Sequence, residues 1–287
     1  MSALHSNDSN QSDPDVYFRK HYLSITGDEP FPWQRKLFAE FTEGAPRFRA
    51  QCPVPTGLGK TSILTIWLLA LAYRVMNDRP AGFPRRLAYV VNRRTVVDQA
   101  TTEAEKLRTA LTSKVELRDI ADALGQLATV ESDKDSDPLA ISTLRGELAD
   151  NGEWRSDPAR PAIVIGTINM IGSRLLFSGY GRCGFKSKPL HAGLLGQDTL
   201  LVHDEAHLEP AFQNLLEAIY AEQRRRERFG EDWDKRAMRV MALTATTRAG
   251  GGPQSESNDD DPLFADADKN HSEAGRRLNA KKWVDLH

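Results

Sequence analysis

The run Pro55-Thr56-Gly57-Leu58-Gly59-Lys60-Thr61-Ser62 holds the residue types that bind a polyphosphate. Glycines let the backbone curl until successive N–H groups point at the phosphates. Lys60 adds a point charge for the outer ones, and the Thr61 hydroxyl is placed to ligate Mg²⁺. Ile63 to Tyr73 follows as an apolar stretch that reads as a helix with its positive end toward those phosphates. Thr56, Gly57, Leu58, Gly59, Lys60, Thr61 and Ser62 are the candidate nucleotide contacts.

A second set of reactive groups stands at Asp204-Glu205-Ala206-His207, directly after Thr199-Leu200-Leu201-Val202-His203. That apolar run is too short for a helix and is bounded by Gly196, so it predicts a buried strand. In parallel α/β sheets ligands sit at the carboxyl ends of strands, where this one presents two carboxylates. Asp204 would hold Mg²⁺ through water, and Glu205 would orient and deprotonate a water for in-line attack on a γ-phosphoryl group. Glu205, Lys60 and His207 are the catalytic candidates; Thr61 and Asp204 are the metal candidates. His203-Asp204 also spells the His-Asp pair of metal-dependent phosphohydrolases. Such a site needs further ligands, and His5, His21, His191, His207, His271 and His287 show no ligand spacing.

Four more segments add polar groups at strand ends. In Phe31-Pro32-Trp33-Gln34, the Gln34 amide can pair with an adenine edge through one donor and one acceptor, which predicts ATP as the nucleotide. Leu87 to Asn92 predicts a strand running into Arg93 and Arg94, a strand-to-helix turn able to grip a sugar-phosphate backbone. Ile163 to Thr167 is another strand ending in a small polar turn, followed by Arg174, and Arg145 stands in Ser142-Thr143-Leu144-Arg145-Gly146-Glu147. Val240 to Leu243 is a strand capped by Thr244-Ala245-Thr246, and the hydroxyls of Thr244 and Thr246 are candidates to relay nucleotide state from Asp204-Glu205.

Val54 stands where the general phosphate-loop pattern wants a glycine, which points away from kinases and GTPases. The ordered set of Gln34, the Lys60 loop, Arg93-Arg94, Gly166-Thr167, Asp204 to His207 and Thr244 to Thr246 resembles the first RecA-like domain of a superfamily 2, DEAH-type helicase. The longer strings Ser142 to Glu147, Gly166 to Phe177 and Val202 to Leu208 resemble the CRISPR-associated helicase–nuclease of type I systems, with the match running from about Val16 to Leu286. Asn169-Met170 departs from the Asp-Gln pair of many members, which bears on strand contacts and not on ATP chemistry. The resemblance implies ATP and Mg²⁺ as cofactors, an α/β P-loop fold with a mostly parallel sheet flanked by helices, and nucleic-acid contacts at Arg93, Arg94, Arg145, Thr167 and Arg174. It further implies single-stranded DNA and a CRISPR surveillance complex as partners. A DEAH helicase of restriction or RNA processing, or a truncated non-motor ATP-binding module, stays open as an alternative.

With 287 residues, 40% apolar and 27% charged, the chain can bury one good α/β core. A formal charge of −2 excludes a generally basic nucleic-acid binder, so any strand must follow a local groove. The triplet Arg224-Arg225-Arg226 reads as a solvated face of a helix over Phe212 to Arg228. Cys52 and Cys183 have no paired spacing, which predicts neither a disulfide framework nor a zinc site, and a reducing, cytoplasmic compartment. The most apolar stretch, Ile63 to Tyr73, is far short of the roughly 20 residues of a membrane span.

Helices are expected over Val16 to Leu23 and Trp33 to Phe41, and polar connections over Glu131 to Pro138, Asn151 to Pro161 and Gly179 to Lys188. By composition the chain divides into a disordered tail (1–15), a first RecA-like domain (16–248), a flexible Gly- and Asp-rich linker (249–276) and a connection (277–287) with a strand-like Lys282 to Leu286. No Gln-x-x-Gly-Arg-x-x-Arg run is present to supply an arginine finger. The expectation is an amino-terminal half-motor, with a second RecA-like domain and a nuclease domain downstream or on another chain.

Overall fold

Apolar runs of about six residues, too short to make a helix and too apolar to lie on a surface, stack into one sheet. Its strands are β1 (Gln51–Pro53), β2 (Arg86–Val91), β3 (Ala140–Leu144), β4 (Ala162–Thr167), β5 (Thr199–Asp204) and β6 (Arg239–Thr244). They lie in the order β1-β6-β5-β2-β4-β3, with every pairing between them parallel. The computed structural model describes residues 13–129, 137–145, 151–179, 184–227, 237–244, 262–264, 266–273 and 276.

Parallel neighbours need crossover connections, and these carry helices onto both faces. In chain order the helices are α1 (Pro14–Thr26), α2 (Pro32–Thr42), α3 (Ile63–Met76), α4 (Arg94–Ser113), α5 (Arg118–Gly125), α6 (Glu153–Ser156), α7 (Ile168–Leu175), α8 (Ser187–Gly196), α9 (Pro210–Glu227) and α10 (Asp266–Asn270). Strand alternation splits the core into two layers. Leu87, Tyr89, Ile163, Ile165, Leu200, Val202, Met241 and Leu243 pack with α1 to α5. Ala88, Val90, Val164, Leu201 and Val240 pack with Trp154 of α6, Met170 of α7, Leu195 of α8 and Phe212 of α9. The expected α/β class, a parallel sheet flanked by helices, is borne out.

Helix α3 is buried on nearly every side, as expected of an apolar helix that enters the core from the glycine loop. No helix among the described residues is long and apolar enough to cross a membrane. Two segments expected as polar connections contain more structure. Asn151 to Pro161 includes α6, whose Trp154 is fully buried, and Gly179 to Lys188 gives way to α8 at Ser187. Trp154 outweighs its polar neighbours because it is the large apolar group that this layer can bury. Part of 249–276 also packs rather than hanging free: Leu263 is 1% exposed in the core layer of α1 to α5. Gly250 to Asp261 and Arg277 to Leu286 lie outside the described residues, as do residues 1–12; Asp13 caps α1 through its side chain, which accepts from Asp15 N–H.

Gly166, one residue from the end of β4, lies tightly against Leu144 and Ile171 of the second layer. A methyl there would stand 3.1 Å from Leu144 Cβ and 3.2 Å from Ile171 Cγ1. Gly166→Ala should therefore cost about 1–3 kcal/mol of overpacking. A urea titration should show a lower midpoint with an unchanged slope; an unchanged midpoint would mean that the contact relaxes freely.

Candidate nucleotide-binding site at the carboxyl edge of the sheet

Three neighbouring strands deliver the reactive groups to one edge. Strand β1 ends at Pro53 and runs into the loop, β5 ends at Asp204, and β6 lies between them with Thr244 paired to Pro53 and Leu243 paired to Asp204. Val54 N–H donates to the Thr244 carbonyl at 2.9 Å, which extends this register into the start of the loop. Gly57 at φ 89° and Gly59 at φ 73° then turn the backbone through left-handed conformations that side chains disfavour. Lys60 to Ser62 form a single turn of 3₁₀ helix leading into α3.

Lys60 is only 8% exposed, and its Nζ lies 2.7 Å from Glu205 Oε1. Glu205 itself sits at φ 52°, a left-handed conformation costing a non-glycine residue about 1–2 kcal/mol. Its N–H donates to Asp204 Oδ1 at 2.9 Å, and this bond helps hold the turn. His207 Nδ1 stands 3.4 Å from the other Glu205 oxygen. Glu205, Lys60 and His207 thus form one contiguous cluster.

The metal candidates meet through a residue that the sequence reading misses. The Tyr89 hydroxyl, on β2, donates to Asp204 Oδ2 at 2.7 Å, and the nearby Thr61 side chain pulls the phenol's pKa down. Burial and the neighbouring Asp204 carboxylate hold the phenol protonated, with its pKa raised well above the usual tyrosine value. The signal in the sequence is a lone hydroxyl within the aliphatic run Arg86 to Val91, which a buried strand must satisfy somewhere. Burial also raises the Asp204 pKa, against the lowering effects of the Tyr89 hydrogen bond and Lys60.

No group of three His, Cys, Asp or Glu side chains that could hold a metal occurs among the described residues. Mg²⁺ keeps several waters and takes one or two protein oxygen ligands together with substrate phosphates, a donor set that a hydroxyl and a carboxylate match. Thr61 and Asp204 would hold it. His203 points into the opposite layer: its Nδ1 lies 3.0 Å from Gln213 Oε1, its ring meets Phe212 edge-on, and burial lowers its pKa.

Gln34 is 1% exposed beneath the loop. Its Oε1 accepts the Phe31 N–H at 2.8 Å and its Nε2 donates to Ser62 Oγ at 2.7 Å, so one donor and one lone pair remain for anything else. Beside the loop a cleft of about 670 Å³ is bordered by Gly59, Thr61, Ser62, Tyr22, Asp28 and Gln99. Thr244 is buried at the strand end, and Thr246 lies outside the described residues.

The nucleic-acid candidates occupy the other half of the same edge, beyond β2, β4 and β3. A cleft of about 610 Å³ is lined by Asn92, Arg94, Arg145, Thr167, Asn169 and Ser173. Arg93 and Arg94 are exposed at the start of α4, and Arg145 pairs with Asp98. Arg174 stands apart: it is 5% exposed and donates to the Met170 carbonyl at 3.0 Å within α7. Arg224 and Arg225 are engaged locally, with the Tyr220 hydroxyl and Glu222. Cys52 is buried and its thiol is pushed up to about 12 by desolvation; Cys183 lies outside the described residues.

Three solved structures are similar to the chain at low identity. They are the yeast DEAD-box splicing factor Prp28 (16% identity, 86% of this chain and 48% of that one, TM-score 0.48), the UvsW helicase of bacteriophage T4 (15%, 76% and 53%, 0.37) and a nuclease-deletion mutant of the Type ISP restriction-modification enzyme LlaGI with a DNA substrate mimic (16%, 83% and 20%, 0.38). The chain spans about half the length of the first two, at 48% and 53%. No protein-family model and no curated protein matches it.

The raised Asp204 pKa has a stability consequence of definite sign. A carboxyl whose folded pKa lies above its unfolded value stabilises the fold fully below the unfolded value, about 3.9 for aspartate, and loses that contribution as pH rises through the folded value. At pH 7 the ionised Asp204 is therefore a cost, and Asp204→Asn should raise the melting temperature by a few degrees when neither nucleotide nor metal is added. The gain should shrink as pH falls through the raised value. A variant less stable than the parent at pH 7 would show that the Lys60 and Tyr89 partners outweigh burial.

Proposed function

We propose that this chain is the ATP-binding RecA-like domain of a superfamily 2, DEAH-type helicase, coupling ATP hydrolysis to movement along single-stranded DNA in CRISPR-type antiviral defence. The observation that carries the ATPase part is the convergence of Lys60, Thr61, Asp204 and Glu205 on one strand edge, with Lys60 Nζ 2.7 Å from Glu205 Oε1. The CRISPR and DNA parts rest on the strings Ser142 to Glu147, Gly166 to Phe177 and Val202 to Leu208.

In this reading the ion pair is a ready state of the site. A polyphosphate entering the loop offers Lys60 a stronger counter-charge than one carboxylate, and the ammonium turns from Glu205 to the outer phosphates. Glu205 is then free to accept a proton from a water in line with the γ-phosphorus. The water oxygen bonds to phosphorus as the bridging bond to the β-phosphate breaks, leaving phosphate and ADP. Bound Mg²⁺ would neutralise charge on the phosphates from Thr61 and Asp204. His207, beside Glu205, orients the carboxylate.

Arg93, Arg94, Arg145 and Thr167 form the strand track, with the α4 amino terminus aimed at backbone phosphates and Arg174 holding α7 in shape behind it. Thr244 and Thr246 would carry nucleotide state across β6. A second RecA-like domain, on this or another chain, would complete the ATP site with an arginine. A nuclease domain and a surveillance complex would complete the pathway.

Lys60→Ala should abolish the rise in melting temperature that ATP and Mg²⁺ give the parent while leaving the fold intact; an undiminished shift would remove the phosphate-loop assignment. Glu205→Gln should bind ATP at least as tightly as the parent, since it releases Lys60, yet lose on the order of 10²–10⁴ in hydrolysis. Steady-state phosphate release in the complete protein checks this, and equal turnover would refute the general-base role. Binding to single-stranded DNA should weaken steeply with salt and fall further in Arg94→Ala.

A further inference from the structure

The first turn of α2 is capped only in part from within, where Gln34 Oε1 accepts the Phe31 N–H. Its N-cap residue is Phe31, whose side chain has no oxygen to offer the free N–H groups. The missing acceptor comes from 235 residues away: Trp33 N–H donates to Asp268 Oδ1 at 2.8 Å. Asp268 is 1% exposed. The segment carrying it is fastened at three more points. Lys36 Nζ donates to the Pro262 carbonyl at 2.9 Å, Leu263 is buried in the core, and the His271 ring meets Phe31 edge-on at 5.5 Å.

That turn of α2 grips the phosphate loop from both ends. Trp33 Nε1 donates to the Leu58 carbonyl at 3.2 Å, just before Gly59. Gln34 Nε2 donates to Ser62 Oγ at 2.7 Å, just after Thr61. Leu58 and Ser62 therefore bracket Gly59, Lys60 and Thr61, the half of the loop with the charge and the hydroxyl for phosphate and metal, and both brackets hang from consecutive residues of one helical turn. Rotating or fraying that turn would move both at once.

We propose that Asp268 is a positioning residue for the phosphate loop: by capping α2 it fixes Trp33 and Gln34, and through them sets the affinity of the loop for a nucleoside triphosphate. The proposal rests on the reading of the loop as a nucleotide site. The coupling is reciprocal by linkage, so nucleotide bound at the loop must also tighten the segment around Asp268. A movement of that segment, whatever drives it, becomes a change in nucleotide affinity without any contact to the nucleotide.

The test is nucleotide affinity in the 1–287 chain, measured by titration with ATP and Mg²⁺, for the parent, Asp268→Ala, Asp268→Asn and Asp157→Ala. Asp157 caps a remote turn by accepting the Thr129 N–H at 2.9 Å, and its loss reports destabilisation alone. Asp268→Ala should weaken binding by about 5-fold or more, the lower range for linked sites. Asp268→Asn keeps an acceptor and should stay within about 2-fold of the parent. Asp157→Ala should lower the melting temperature and leave affinity alone. A parental affinity in Asp268→Ala, or an equal loss in Asp157→Ala, would overturn the proposal.

Should Asp268→Ala fail to fold, amide hydrogen exchange on the parent decides the matter. ATP with Mg²⁺ should slow exchange in Phe31 to Lys36 and in residues 266–273, and should not do so in Lys60→Ala. Protection confined to the loop and α3 would overturn the coupling. A parent that binds no ATP at all would overturn the nucleotide reading itself, which a binding parent with an indifferent Asp268→Ala would leave standing.

Discussion

A lysine that is only 8% exposed must have a counter-charge, and Lys60 finds it in Glu205 at 2.7 Å. An unpaired ammonium at that depth would cost several kcal/mol. The pair can form because β1 and β5, whose carboxyl ends lead into the two residues, stand one strand apart with β6 between them and in a register that aligns their ends. The left-handed turn at Glu205 and the two left-handed glycines of the loop serve the same meeting. Sheet order, register and backbone strain all converge on one bond.

The edge then divides by strand. The β1-β6-β5 side carries the glycine loop, Asp204 and Glu205, and the β2-β4-β3 side carries Arg94, Arg145 and Thr167 around the second cleft. Tyr89 belongs to β2 yet donates to Asp204 on β5, with the Thr61 side chain close by. Arg93 and Arg94 follow the same strand β2. A shift of Asp204 is thus felt by the strand that leads into the arginines, a short mechanical path between the two halves of the edge. Because Tyr89 is buried and held protonated, that path is fixed in its hydrogen-bond direction.

The four inner strands, β2, β4, β5 and β6, are legible from the sequence because burial on both faces leaves near-continuous apolar runs. The edge strands are not: β1 has three residues, and β3 carries Ser142 and Thr143, so neither holds a pattern that a loop would not. The loop, Asp204 and Glu205 are legible because their chemistry dictates their types. Tyr89 and Asp268 are not, since each acts through a partner over a hundred residues away, at separations of 115 and 235. Arg174 shows the converse, as an arginine in a strand-contact string proves buried once α7 forms. Sequence spacing specifies which groups are available, and packing decides which way they face.

The most direct measurement is a crystal structure of residues 1–287 grown with Mg²⁺ and a non-hydrolysable ATP analogue. The account predicts phosphates cradled by the Gly57 to Thr61 backbone, the Lys60 ammonium withdrawn from Glu205 onto the outer phosphates, and the metal held by Thr61 and Asp204. An analogue bound elsewhere, or bound at the loop with the Lys60–Glu205 pair still closed, would contradict it.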